Sequence, residues 1–175
     1  MKNLSKFLFL FAAIVMSSSC QNTPKPSIVP AVEIKKTAPN NQNIIGAVEP
    51  IYFPPMKTPF AARIDTGAEQ SALDADNIKY FERDGEKWVS FSLINRENGE
   101  TYRFEKEIVR NISIKRIHLT EKRPMVEMDV KFGNETFTSL FSLAKRDKVE
   151  YQALVGRNII TGRAIVDTSV SNTLR

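Results

Sequence analysis

Asp65-Thr66-Gly67-Ala68 is the stretch of this sequence whose residue types suit chemistry. It follows an apolar run, Ala61-Ala62-Arg63-Ile64, and precedes Glu69-Gln70-Ser71. A carboxylate at the end of a strand, on a turn that Gly67 permits, is placed to be held rigidly by backbone N–H groups. Thr66 adds a hydroxyl on a stiff, β-branched body. Asp-x-Gly is also an ordinary turn signature, so the tripeptide alone leaves a plain turn open. Other reaction classes are excluded more firmly. Cys20 and His118 are the only cysteine and histidine, whereas an ordinary zinc site draws three or four ligands from those types. A metal would have to use carboxylates such as Asp65, Asp74 and Asp76. No Gly-x-x-x-x-Gly-Lys-Ser/Thr run marks a phosphate-cradling loop for ATP. The expectation is therefore no metal and no cofactor.

The elements that must position Asp65 come from a chain of 175 residues, 42% hydrophobic and 26% charged, which leaves room for one ordinary domain. Its formal charge of +5 falls to +3 without Lys2 and Lys6, with the bases scattered, so no nucleic-acid footprint is expected.

Residues 1–19 read as a lipoprotein signal peptide. Lys2 and Lys6 form its basic start, Phe7–Val15 is an apolar stretch too short to span a bilayer, and Ser17-Ser18-Ser19-Cys20 resembles a lipobox. The alternative is a simple secretory signal that leaves a free thiol. Cys20 is the expected lipidation site, anchoring the chain to a membrane. By resemblance to enterobacterial sorting, Gln21 points to the outer membrane, with the domain facing the periplasm. Residues 20–45, rich in Pro, Asn and Gln, read as a disordered tether.

Residues 46–175 read as short strands. Gly46–Tyr52 and Pro59–Ile64 lead to Asp65, and a short turn or helix is expected around Asp74-Ala75-Asp76. Trp88–Ile94 alternates, with Val89, Phe91 and Leu93 on one face. Asn98-Gly99 is a hairpin signal. Tyr102–Val109 and Ile112–Leu119 are charged strands. Met125–Phe132 alternates cleanly, turns at Gly133-Asn134 and returns over Glu135–Leu143. Ala153–Val155 reads as a strand buried on both faces, followed by a short helix over Ile159–Gly162 and a last strand, Ala164–Val166. His118 reads as a surface strand residue, Trp88 as packing. Many short strands with almost no helix imply an all-β barrel or sandwich.

Two distant pieces then combine. Asp65-Thr66-Gly67-Ala68 after an apolar strand, and Leu154-Val155-Gly156-Arg157-Asn158 before a short helix, are the two halves of the aspartic-protease signature, with the Met125–Leu143 hairpin between them. The sequence resembles the retropepsin-like aspartic proteases. It looks closest to the bacterial family labelled ATP-dependent zinc proteases, through Ala62–Ala68, Phe81–Val89, Arg123-Pro124-Met125-Val126, Leu154–Asn158, Gly162-Arg163 and Val166-Asp167. The zinc and ATP of that label find no ligands in these residues.

The resemblance implies a single-lobed acid-protease barrel working as a homodimer, with the catalytic Asp65 of each chain on the two-fold axis. One member of a carboxylate dyad sharing a proton would activate a water against a peptide or other amide bond. Thr66 would bond across the axis, Gly67 would admit substrate backbone, and Ala68 completes the motif. Arg157 would pair with Glu69, Gly156 would let the last apolar strand pass behind the Asp65 loop, and Asn158 completes that support. Asn95–Leu119 would take the place of the flap. The resemblance also admits an unusual amide substrate, since some relatives are thought to act on glutamate-linked peptides with ATP-grasp ligases. The competing reading is a non-catalytic periplasmic module that keeps the barrel and holds a peptide or polymer.

Overall fold

A ring of strands closes around the apolar residues that the alternation marked. The computed structural model describes residues 43–116 and 119–174. The signal peptide, Cys20, His118 and the tether through residue 42 lie outside the described residues.

Six strands form the ring: β2 (Val48–Tyr52), β3 (Phe60–Ile64), β4 (Ser71–Asp74), β9 (Leu119–Phe132), β10 (Glu135–Ala144) and β11 (Ala153–Val155). Their order is β10-β4-β11-β3-β2-β9, and the β9–β10 hairpin joins the two ends. Closure leaves those strands without a free edge. β8 (Arg110–Arg116) pairs antiparallel with the first half of β9, so the two make an arm that extends the sheet. β5 (Asp76–Arg83), β6 (Glu86–Ile94) and β7 (Thr101–Glu107) make a separate three-stranded meander. β1 (Asn43–Ile45) pairs in parallel with β12 (Ala164–Val166). The all-β barrel expected from the sequence is what the chain adopts.

Residue periodicity explains most of this. Val126, Met128, Val130 and Phe132 are all buried, as are Val89, Phe91 and Leu93. Each such side chain contributes about 1.5–3 kcal/mol by leaving water. Phe53 lies between Phe60 and Phe141, with ring centroids 5.4 Å apart in both edge-on pairs, and so fills the barrel beneath β3. The Asn98-Gly99 signal falls in the β6–β7 connection, where Gly99 has φ +77°.

Three expectations shift. No helix forms at Asp74-Ala75-Asp76, because β4 and β5 run up to Ala75 from either side, and Asp74 donates its N–H to Gln152 O at 2.7 Å. The short helix, α1 (Arg157–Ile160), starts two residues before the stretch expected, directly after Gly156. Asn43–Ile45, read as part of the tether, is a strand: Ile45 is 1% exposed, and its carbonyl accepts from Asp167 N–H at 2.9 Å.

The chain end is fastened by a buried acid. Glu49, fully buried on β2, accepts from Gly46 N–H, from the Thr173 N–H and hydroxyl, and from Leu174 N–H. Burial pushes this carboxyl up, but the donors from Thr173, Leu174 and Gly46 together outweigh it and hold the group below its ordinary range.

Candidate active site

β3 delivers Asp65 to the rim of the barrel. The register of β3 with β11 sets Ile64 beside Val155, and Asp65 N–H donates to Val155 O at 2.9 Å. The turn after it closes through the carboxylate. Asp65 Oδ1 accepts from Gly67 N–H at 2.9 Å and from Ala68 N–H at 3.2 Å. Asp65 is half-buried, while Thr66 and Gly67 are exposed. A half-buried carboxylate fixed by two backbone donors, with open backbone beside it, suits proton transfer to a polymer laid along the rim.

The second half of the signature buttresses this turn. A Cβ on Gly156 would come within 2.8 Å of Gln70 C and 3.0 Å of Ala68 O, so only glycine fits behind the loop. Arg157 N–H donates to Ala68 O at 2.9 Å, and Asn158 N–H to Glu69 O at 3.1 Å. Asn158 Oδ1 accepts from the Ser71 N–H at 2.9 Å and from its hydroxyl at 2.8 Å, while Nδ2 donates to Leu140 O at 2.9 Å. Two segments almost ninety positions apart are thereby tied into one rigid support.

One pairing differs from expectation. The Arg157 guanidinium does not meet Glu69 among the described residues. Its Nη1 donates to Thr66 O at 3.0 Å and Gly67 O at 2.8 Å. Those carbonyls face outward on the turn and need a donor. Glu69 is exposed, and its carboxylate accepts from Gln70 Nε2 at 3.3 Å.

Beside the loop lies a cavity of about 610 Å³. Ala68, Glu69 and Gln70 form one wall, Ala72 and Leu154 the floor, and Arg110, Ile112, Ile114 and Arg123 of the β8–β9 arm the other side, with Arg146. Of the stretch Asn95–Leu119 expected in the place of the flap, Asn95–Glu100 falls in the hairpin loop of the meander and β8 lies beside the cavity. Sequence reasoning missed these arginines and the hub at Ser71. Arg123 did stand in one of the quoted family stretches, whereas nothing in sequence set Arg110 or Arg146 apart from the other scattered bases. Of the carboxylates a metal would have to share, Asp74 is committed elsewhere: it is 6% exposed, paired to Arg96 and bonded to Arg146 N–H.

Residues 44–174 match the RimB-like family, described as retropepsin-like aspartic endopeptidase RimB. The chain belongs to that family. A solved structure from Legionella pneumophila subsp. pneumophila str. Philadelphia 1, of a protein of unknown function, is 30% identical with a TM-score of 0.66, covering 78% of this chain and all of that one. Among curated proteins, a relative from Shewanella pealeana is 35% identical over 136 residues and one from Parasynechococcus marenigrum 32% over 139. Both carry the name probable alpha-L-glutamate ligase. Each comparison covers 75% of this chain, but the chain spans only about 30% of the length of those relatives.

Membership of that family makes this chain an enzyme domain. The relatives also correct the activity expected from sequence. A general peptide hydrolase working through a shared dyad and water is contradicted by the ligase names of the relatives. The motif that prompted that reading specifies a retropepsin-like fold and its carboxylate loop, and neither is enough to name the reaction.

Proposed function

We propose that this domain serves α-L-glutamate amide chemistry, acting on the glutamyl bond that an α-L-glutamate ligase makes. In this reading Asp65 is the acid–base carboxylate, which is the sense in which the domain is of the aspartic type, and the cavity beside it seats an acidic chain. The observation that carries the reading is the cationic wall next to the Asp65 loop, formed by Arg110, Arg123 and Arg146. Such a wall favours a polyanion by Coulomb attraction and by forked hydrogen bonds to carboxylates. The names of the curated relatives supply glutamate as the acidic residue. The exposed turn at Thr66 and Gly67 leaves room for a second copy, so the homodimer is kept within the proposal, with sedimentation as its check.

The test uses the purified chain and its Asp65→Asn variant. Each is incubated with α-linked glutamate oligomers, matched glutamine oligomers, and free glutamate with ATP, and oligomer lengths are read by mass spectrometry. A change in length of the glutamate oligomers that requires Asp65 and spares the glutamine oligomers supports the reading. Unchanged glutamate oligomers, with or without ATP, overturn it.

A further inference from the structure

The β8–β9 arm carries one cation whose bonding is incomplete. Arg123 is 8% exposed. Its Nη2 donates to Glu121 Oε2 at 2.8 Å, but its buried Nε has no partner among the described residues. Buried guanidinium donors are ordinarily matched, because desolvating one without an acceptor is unfavourable. The same side chain lines the cavity beside the Asp65 loop. That Nε is sealed from solvent, so a ligand in the cavity meets the guanidinium through its other nitrogens.

We infer that Arg123 is the specificity-determining residue of this cavity, receiving one carboxylate side chain of the bound chain at its guanidinium. The guanidinium is a flat fork, and Glu121 holds Nη2, which fixes the plane and leaves Nη1, without a partner among the described residues, for an incoming oxygen. Ile112, Ile114 and Leu154 line the same cavity and suit the methylene stem of a glutamyl side chain. Arg110, also in the wall, offsets the second carboxylate brought to Arg123. That the carboxylate belongs to a glutamyl residue rests on the function proposed above. The subsite itself requires only a carboxylate on a short apolar stem.

The test is calorimetric titration of the Asp65→Asn chain with α-linked tetraglutamate, tetraglutamine and glutarate. It is repeated after adding Arg123→Gln, Arg123→Lys or Glu121→Gln, with thermal melts to establish folding. Arg123→Gln is expected to weaken tetraglutamate and glutarate about tenfold, the scale of one charge-assisted contact, and to leave tetraglutamine unchanged. Arg123→Lys, which keeps the charge without the fork, should recover only part of the loss. Glu121→Gln should tighten both acids, because it removes the internal carboxylate that competes for the guanidinium. Undiminished acid binding by a folded Arg123→Gln chain overturns the subsite, as does failure of the parent to bind either acid. Glutarate bound through Arg123 without tetraglutamate binding leaves the subsite standing and overturns the glutamyl reading instead. Should Arg123→Gln fail to fold, Glu121→Gln decides, and no tightening there overturns the inference.

Discussion

Gly156→Ala tests whether the second half of the signature acts by supporting the Asp65 loop. The added methyl would sit 2.8 Å from Gln70 C, 2.9 Å from Gln70 O and 3.0 Å from Ala68 O. All three are backbone atoms, so no side chain can swing aside. Ordinary contact begins near 3.4 Å, and the loop must therefore retreat by roughly 0.6 Å, at a cost of about 1–3 kcal/mol for overpacking. The retreat also stretches the bonds from Arg157 N–H to Ala68 O and from Asn158 N–H to Glu69 O. For a domain of this size such a cost lowers the melting temperature by roughly 5–10 °C. A matched control separates loop displacement from lost stability. Gly85 has φ +81° and open space around it, so Gly85→Ala costs about 1–2 kcal/mol through backbone strain alone, far from the site. Thermal melts and calorimetric titration with α-linked tetraglutamate are the assays. Gly156→Ala should lose both stability and binding, Gly85→Ala stability alone. Unchanged stability and binding in Gly156→Ala would refute the buttress, and equal binding losses in both variants would show that stability alone is being read.

Three further outcomes are expected. Glu49→Gln should destabilise the domain by about 2–4 kcal/mol at neutral pH, because it replaces a buried acceptor of several N–H and O–H donors with a group that offers one oxygen. Since the Glu49 carboxyl is held below its ordinary 4.5, its stabilisation is complete above that value and fades as pH falls through the lower folded value. Acid melts of the wild type should show this loss and those of Glu49→Gln should lack its share. Asn158→Ala removes the acceptor for Ser71 and the donor to Leu140 O at a partly exposed site, and about 2 kcal/mol lost in urea unfolding is expected. If Cys20 carries the lipid expected from the sequence, Cys20→Ala should move the protein from the membrane to the soluble fraction on ultracentrifugation, with the lipid mass absent from the N-terminal peptide.

Much of the barrel was legible because a strand records its environment in alternate residues. The β9–β10 hairpin and the inner face of β6 could be read this way, since each has one face in the core and turn residues between strands. Asp74-Ala75-Asp76 was misjudged because Asp-x-Asp is locally a turn or cap pattern, whereas here Asp74 is claimed by Arg96 and Arg146, contacts that no local window contains. The early strand Asn43–Ile45 was hidden for the same reason, since its partner β12 lies about 120 positions away.

For the site, the sequence by itself determined the carboxylate, the turn that carries it and the glycine behind it. Gly156 is required because a Cβ there would strike the backbone of Gln70 and Ala68, so its residue type betrays its place. Only the tertiary structure decided what Arg157 holds, because both Glu69 and the turn carbonyls lie within reach of a long guanidinium and position alone does not choose between them. The same is true of the cavity. Arg110, Arg123 and Arg146 come from one strand, the next strand and a later loop, and they line one cavity only in the folded chain. Charge spread along a chain carries no sign of where it will converge, since convergence is set by sheet closure and register.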